Sequence, residues 1–163
     1  MYDRYIEMLF CFGERRMVMA NNNGTSRTDE MRAIYRQVYM AEQRGNGMSP
    51  EQAVSEYSNY AKEHNVYDMS FIQLKTESVN RLLDSGADYN EVKDGYYANT
   101  KASSRMASDM LGEFYSSVQD EAYERARSGE FTTVTERYLS DSQKDEIMLA
   151  EQQASEDRYG FDY

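Results

Sequence analysis

Between Tyr97 and Ser128 no proline interrupts the chain, and Met106, Met110, Leu111, Phe114, Val118, Ala122 and Arg125 recur at steps of three and four. That spacing is the one-sided stripe of an amphipathic helix, and Gly129 stands where a C-cap glycine belongs. At 1.5 Å per residue, about 30 helical residues span roughly 45 Å. A compact chain of this size is about 40 Å across, so such a helix crosses the whole molecule and offers a surface to every other segment. The pattern predicts an all-α, single-domain bundle of six or seven helices organised around the helix at about 97–128. Gly112 falls mid-helix, where glycine costs about 1 kcal/mol relative to alanine. Close packing or a kink is therefore expected there.

The remaining segments read as shorter helices. Tyr2, Tyr5, Ile6, Leu9 and Phe10 are spaced as an apolar helical face, giving an N-terminal helix or arm over residues 1–20. The Asn21-Asn22-Asn23-Gly24-Thr25-Ser26 run marks a loop over 21–27, and a helical domain over 28–163 follows. Thr28 is the expected N-cap of the next helix, with Asp29 and Glu30 at its positive end and Met31, Ile34, Tyr35 and Val38 on its inner face. Ser49-Pro50-Glu51-Gln52 is a capping box with proline at the first helical position, and Ala53, Val54, Tyr57, Tyr60 and Ala61 line the helix it opens. A start at Asp68 or Ser70 leads into the most aliphatic face, Met69, Ile72, Val79, Leu82 and Leu83, closed by Gly86. Asp88 to Glu91 reads as another box opening a short turn through Val92, with Asp94-Gly95 as a break. Phe131 to Thr135 has strand-like composition but is too short and isolated for a sheet; a capped turn from Thr133 through Leu139 is the other reading. The last helix starts near Ser140 or Ser142 and reaches about Arg158, with a thin apolar side of Ile147, Met148, Leu149, Ala150 and Ala154.

Composition narrows the chemistry. At 163 residues the chain is one ordinary domain able to bury about two thirds of its unfolded surface. One histidine, His64, and one cysteine, Cys11, cannot supply a tetrahedral zinc set, and a catalytic triad would have to use His64. Its place at a helix C-terminus suits a structural role. No phosphate loop, dinucleotide fingerprint or helical HExxH is present. Acids such as Asp109 and Glu113, or Asp120, Glu121 and Glu124, read as solvated helix faces rather than a metal site. A lone cysteine permits no internal disulfide, and neither a signal-peptide pattern nor an apolar run of membrane-spanning length occurs. The expected localisation is cytoplasmic, with no enzyme activity, no cofactor and no metal.

Binding is the better-supported class. The chain carries 29 acidic and 18 basic residues, net −11, with eight acids against three bases in residues 131–163. Such a surface disfavours direct binding to nucleic acid or anionic membranes and suits a partner protein with a basic surface. Fifteen tyrosines and eleven methionines add recognition area and adaptable apolar surface. Tyr35 and Tyr57 sit on apolar faces, while Tyr96, Tyr97, Tyr159 and Tyr163, at segment ends, are expected to be half-exposed; Met106 and Met110 are at core spacing. The expected function is a non-enzymatic inhibitor of the phage or mobile-element anti-defence type, such as an anti-CRISPR, binding a nucleic-acid-processing complex. Its partner-binding residues are Asp141, Asp145, Glu146, Glu151, Glu156, Asp157 and Tyr159. Carboxylates on successive helical turns sit about 6 Å apart and crudely match a row of phosphates. The alternatives are an adaptor that forms a homodimer through the long helix, and a helix-turn-helix regulator over residues 50–84. In the latter the second helix offers only Lys75 and Arg81 against Asp68, Glu77 and Asp84.

Overall fold

The computed structural model describes residues 26–100 and 103–160. Within them lie seven α-helices and no strand: α1 (Arg27–Gly45), α2 (Pro50–Glu63), a 3-10 turn (Val66–Asp68), α3 (Phe71–Ser85), α4 (Tyr89–Asn99), α5 (Ser104–Arg127), α6 (Thr133–Tyr138) and α7 (Asp141–Tyr159). The all-α bundle is as the periodicity predicts. The expected helix or arm over 1–20, most of the 21–27 loop, and Tyr163 lie outside the described residues.

Helix starts follow side-chain chemistry closely. Ser49 with Gln52, Ser70 with Gln73 and Ser140 with Gln143 each form a reciprocal capping box. Ser26, not Thr28, caps α1, because Asp29 is three residues on and returns a bond to the Ser26 backbone. The run at 131–135 leads into a helix and not a strand: Thr132 caps α6 with Thr135 as its reciprocal partner. Asp88 caps α4 through the Asn90 N–H. Gly86 closes α3 in the left-handed region, φ +69°, which an L side chain adopts only with strain.

The longest helix is α5, and it packs against α1, α3, α4, α6 and α7; the most extensive helix pair is α1 with α3. Its buried stripe runs Ala107, Met110, Leu111, Phe114, Val118, Ala122, Ala126, while Met106 is only half-buried. It does not extend over 97–128. Residues 97–99 belong to α4, Thr100 leaves the helical region (ψ 146°), and Ser103 caps a new helix through the Met106 N–H. No helix among the described residues is long and apolar enough to cross a membrane.

Two glycine expectations are reversed. Asp94-Gly95 does not break the chain: α4 runs through it to Asn99. A Cβ on Gly95 would lie 2.2 Å from Gln37 Oε1 and 3.0 Å from its Cδ, so the glycine allows α4 to lie against α1. Gly112 is exposed, and a Cβ there would meet nothing within 4 Å; it marks neither a close contact nor an obligatory bend. Gly112→Ala is therefore expected to stabilise the fold by about 1 kcal/mol. Gly95→Ala should destabilise it by about 1–2 kcal/mol, because displacing the buried Gln37 amide outweighs the gain in helix propensity. Urea unfolding of the two variants reads both signs, and a stabilised Gly95→Ala would show that the α1–α4 contact yields freely.

Three further burial expectations change. Val54 and Ile72 are exposed at 49% and 71%, and Tyr96 is fully buried. Val54 stands beside the Ala53–Tyr57–Ala61 line that faces α1, and Ile72 lies in the first turn of α3. Tyr96 points inward because its hydroxyl meets the buried Glu30 carboxylate of α1.

Candidate functional site

The seven residues expected to bind a partner lie on α7 and nowhere else, so the geometry of that helix decides what they can do. Its N-terminal end is firmly held. Tyr138 at the end of α6 is buried, donates to the Ala87 carbonyl (2.7 Å) and receives the Gln119 amide on its own carbonyl (3.0 Å). Arg137 donates to the Gly86 carbonyl at 2.8 Å. These bonds tie α6 to the α3–α4 turn and to α5, and Ser140 then starts α7 two residues later.

Beyond that anchor the helix is almost bare. Ile147 is the only buried residue of α7, and Tyr123 of α5 donates to the Glu146 carboxylate one position before it. That bond raises the Tyr123 pKa by stabilising the protonated phenol. Met148 and Leu149, expected on an inner apolar side, are 60% and 63% exposed, and Tyr159 is 79% exposed. Ala150 and Ala154 are exposed too. For Met148 and Leu149 the reason is arithmetic: one docking residue cannot bring its neighbours at 100° and 200° around the helix onto the same surface.

With Ile147 defining the direction of the body, 100° per residue sorts the candidates. Asp141, Asp145, Glu156 and Tyr159 fall on the outward side, between about 100° and 200° away, together with Met148, Leu149 and Gln152. Glu146 is turned back toward Tyr123, Glu151 projects near the body side, and Asp157 lies on the flank. Asp141 pairs loosely with Lys144 (3.7 Å) and Glu156 accepts from Gln152 (3.3 Å), contacts that a binding partner displaces at little cost. The structure thus brings four of the seven onto one face. It adds Met148 and Leu149, which sequence reasoning assigned to the core.

Other charged features are engaged internally. An open cleft of about 450 Å3 is lined by Asp84, Glu121, Glu124, Arg125, Ser128 and Glu130. Its arginine is already bonded to Asp84 (2.6 Å), Asn80 (3.1 Å) and Glu121 (3.3 Å). No group of three His, Cys, Asp or Glu side chains among the described residues is arranged to hold a metal ion. His64 stacks on Tyr60, centroids 4.1 Å apart, with Nδ1 3.0 Å from the Tyr60 carbonyl at the end of α2.

Arg81, the one arginine of the would-be recognition helix, is turned into a tyrosine cluster. Its guanidinium lies 5.1–5.9 Å from the ring centroids of Tyr35, Tyr39 and Tyr60, 2.8 Å from Glu42, and donates to the Tyr60 hydroxyl. The α3 surface is left with Lys75 as its base. The apolar stripe of α5 is likewise consumed by the core, which leaves that helix no uncovered apolar face.

Neither a protein-family model, nor a curated protein, nor a solved structure matches the chain.

Proposed function

We propose that this chain is a non-enzymatic, acidic interaction protein, an inhibitor of the phage or mobile-element anti-defence type such as an anti-CRISPR. It acts inside the cell by engaging a basic, nucleic-acid-binding surface of a partner protein. One observation carries the reading: α7, a 19-residue helix with six acids against two bases, has Ile147 as its one buried residue among the described residues. A fold that only needed a final helix for stability would bury more than one of its residues. An acidic helix that meets the body along one narrow line supplies carboxylates at about 6 Å intervals along its length, and a channel built to grip phosphates meets such a row with its own cations.

The test is inhibition of nucleic-acid-processing enzymes, RNA-guided nucleases first, with affinity followed from about 50 mM to about 500 mM NaCl. The reading requires that binding compete with the enzyme's nucleic acid and weaken as salt rises. Neutralising the outward acids together, as Asp141→Asn, Asp145→Asn and Glu156→Gln, should weaken binding by about 10-fold or more, at a stability cost of no more than about 0.3–1 kcal/mol from the first-turn Asp141. Affinity indifferent to salt, or unchanged in the triple variant, would remove the electrostatic reading.

A further inference from the structure

The outward face of α7 is not uniformly acidic. Met148 and Leu149 stand side by side at its middle, more than half exposed, with Asp145 and Asp141 one and two turns before them and Glu156 two turns after. Tyr159 closes the row. Because Ile147 makes the body contact, these two side chains are not overflow from the core; they are an apolar step in an acidic face. Resting on the reading above, we propose that α7 docks as a helix into a groove of a partner protein with an apolar floor and basic rims. Met148 and Leu149 enter the floor, and Asp141, Asp145 and Glu156 meet the cations along the rims.

Charge selects this occupant over the others. A second copy would lay a helix of net −4 (six acids, two bases) against its like, which repels, and a nucleic-acid backbone repels it equally. A purely cationic surface would leave two large apolar side chains against polar groups. Helix-in-groove recognition seats the apolar side chains of one helix face in a groove; Met148 and Leu149 are neighbours about 100° apart on that face, methionine adapts to an irregular apolar floor, and Tyr159 about three turns on adds area at low entropic cost.

Two dye-labelled peptides test the mode with the full chain, one an amphipathic helix of leucine and lysine, the other an oligolysine of equal charge. Fluorescence anisotropy should show the leucine–lysine peptide binding about 10-fold or more tightly than oligolysine. That advantage should vanish in the variant carrying Met148→Ser and Leu149→Ser, while the acid-neutralised triple variant loses both peptides. Equal binding of the two peptides, or an advantage that survives the double serine variant, overturns the groove and leaves the acidic-surface reading standing. Failure of both peptides to bind overturns both. Sedimentation and melting complete the test, since the double serine variant should keep the wild-type mass and melting temperature. Self-association abolished by the two serines would show a second copy on the face, and a clear fall in melting temperature would show the chain's own residues on it; either result overturns the proposal.

Discussion

Arg81→Ala is expected to destabilise the protein by about 2–4 kcal/mol, the largest single-residue loss among the charged positions. The arginine side chain is 22% exposed and its partner Glu42 21% exposed, so both charges are largely withdrawn from water. Burial alone would lower the Arg81 pKa, but Glu42 and the phenols of Tyr60 and Tyr35 outweigh it and hold the value above the usual arginine range. Removing the guanidinium strands the Glu42 carboxylate, takes the donor from the Tyr60 hydroxyl and leaves three ring faces without their cation. The phenols are themselves linked, Tyr60 to Tyr35 at 2.8 Å, so the loss reaches α1, α2 and α3 together. Arg81→Lys should recover only part, because an ammonium cannot span Glu42 and Tyr60 as the planar fork does. Replacing both Arg81 and Glu42 by leucine should be far milder than Arg81→Ala, since it strands no charge. Urea unfolding at neutral pH reads all three, and an Arg81→Ala loss below about 0.5 kcal/mol would show that the cluster is exposed ring stacking with no buried charge to satisfy.

That cluster also shows where sequence reading stops. Tyr35 and Tyr57 were legible as core from helical spacing; Ser49 announced a helix start, and two more were narrowed to Asp68 or Ser70 and to Ser140 or Ser142, because capping is local chemistry within four residues. Arg81 with Glu42, and Tyr96 with Glu30, join positions 39 and 66 residues apart, and no local pattern encodes them. Glycine misled in both directions for one reason. A glycine in a helical run is either a breaker or a point of close approach, and only the neighbouring helix distinguishes Gly95 from Gly112. The break before α5 was missed because Ser103 caps it with no glycine or proline to mark it. On α7 the acids were readable as a run, but the face they form was not. Which of them point outward depends on Ile147 being the docking residue, and Met148 and Leu149 look identical to core residues until the helix is seen to dock through Ile147 alone.

The second large effect is a pH dependence centred on Glu30. This carboxyl lies in the first turn of α1, is 1% exposed, and among the described residues has no cationic partner. Its Oε2 accepts from the Tyr96 hydroxyl and from Thr100 at 3.3 Å, while Oε1 has no hydrogen-bond partner among the described residues. Burial raises its pKa above 4.5, the Thr100 bond opposes the rise, and the neighbouring Asp29 charge adds to it. A carboxyl with a higher pKa folded than unfolded binds more protons in the folded state between those two values. Its contribution is therefore fully present below the unfolded value and is lost as pH climbs through the folded one. Glu30→Gln keeps an acceptor for Tyr96 and Thr100 and removes the buried charge, so it should stabilise the protein by about 1–3 kcal/mol at neutral pH, the cost of an incompletely satisfied buried charge. Loss of a first-turn acid at the positive helix end opposes this by about 0.3–1 kcal/mol, which leaves the gain positive. Near pH 4, where the native carboxyl is protonated, the advantage should fall close to zero. Unfolding free energies of both proteins measured from about pH 4 to about pH 8 should diverge steadily in favour of the glutamine variant. Parallel curves would mean that Glu30 titrates alike folded and unfolded. A variant less stable at neutral pH would mean that Tyr96, Thr100 and the helix end stabilise the carboxylate by more than burial costs it.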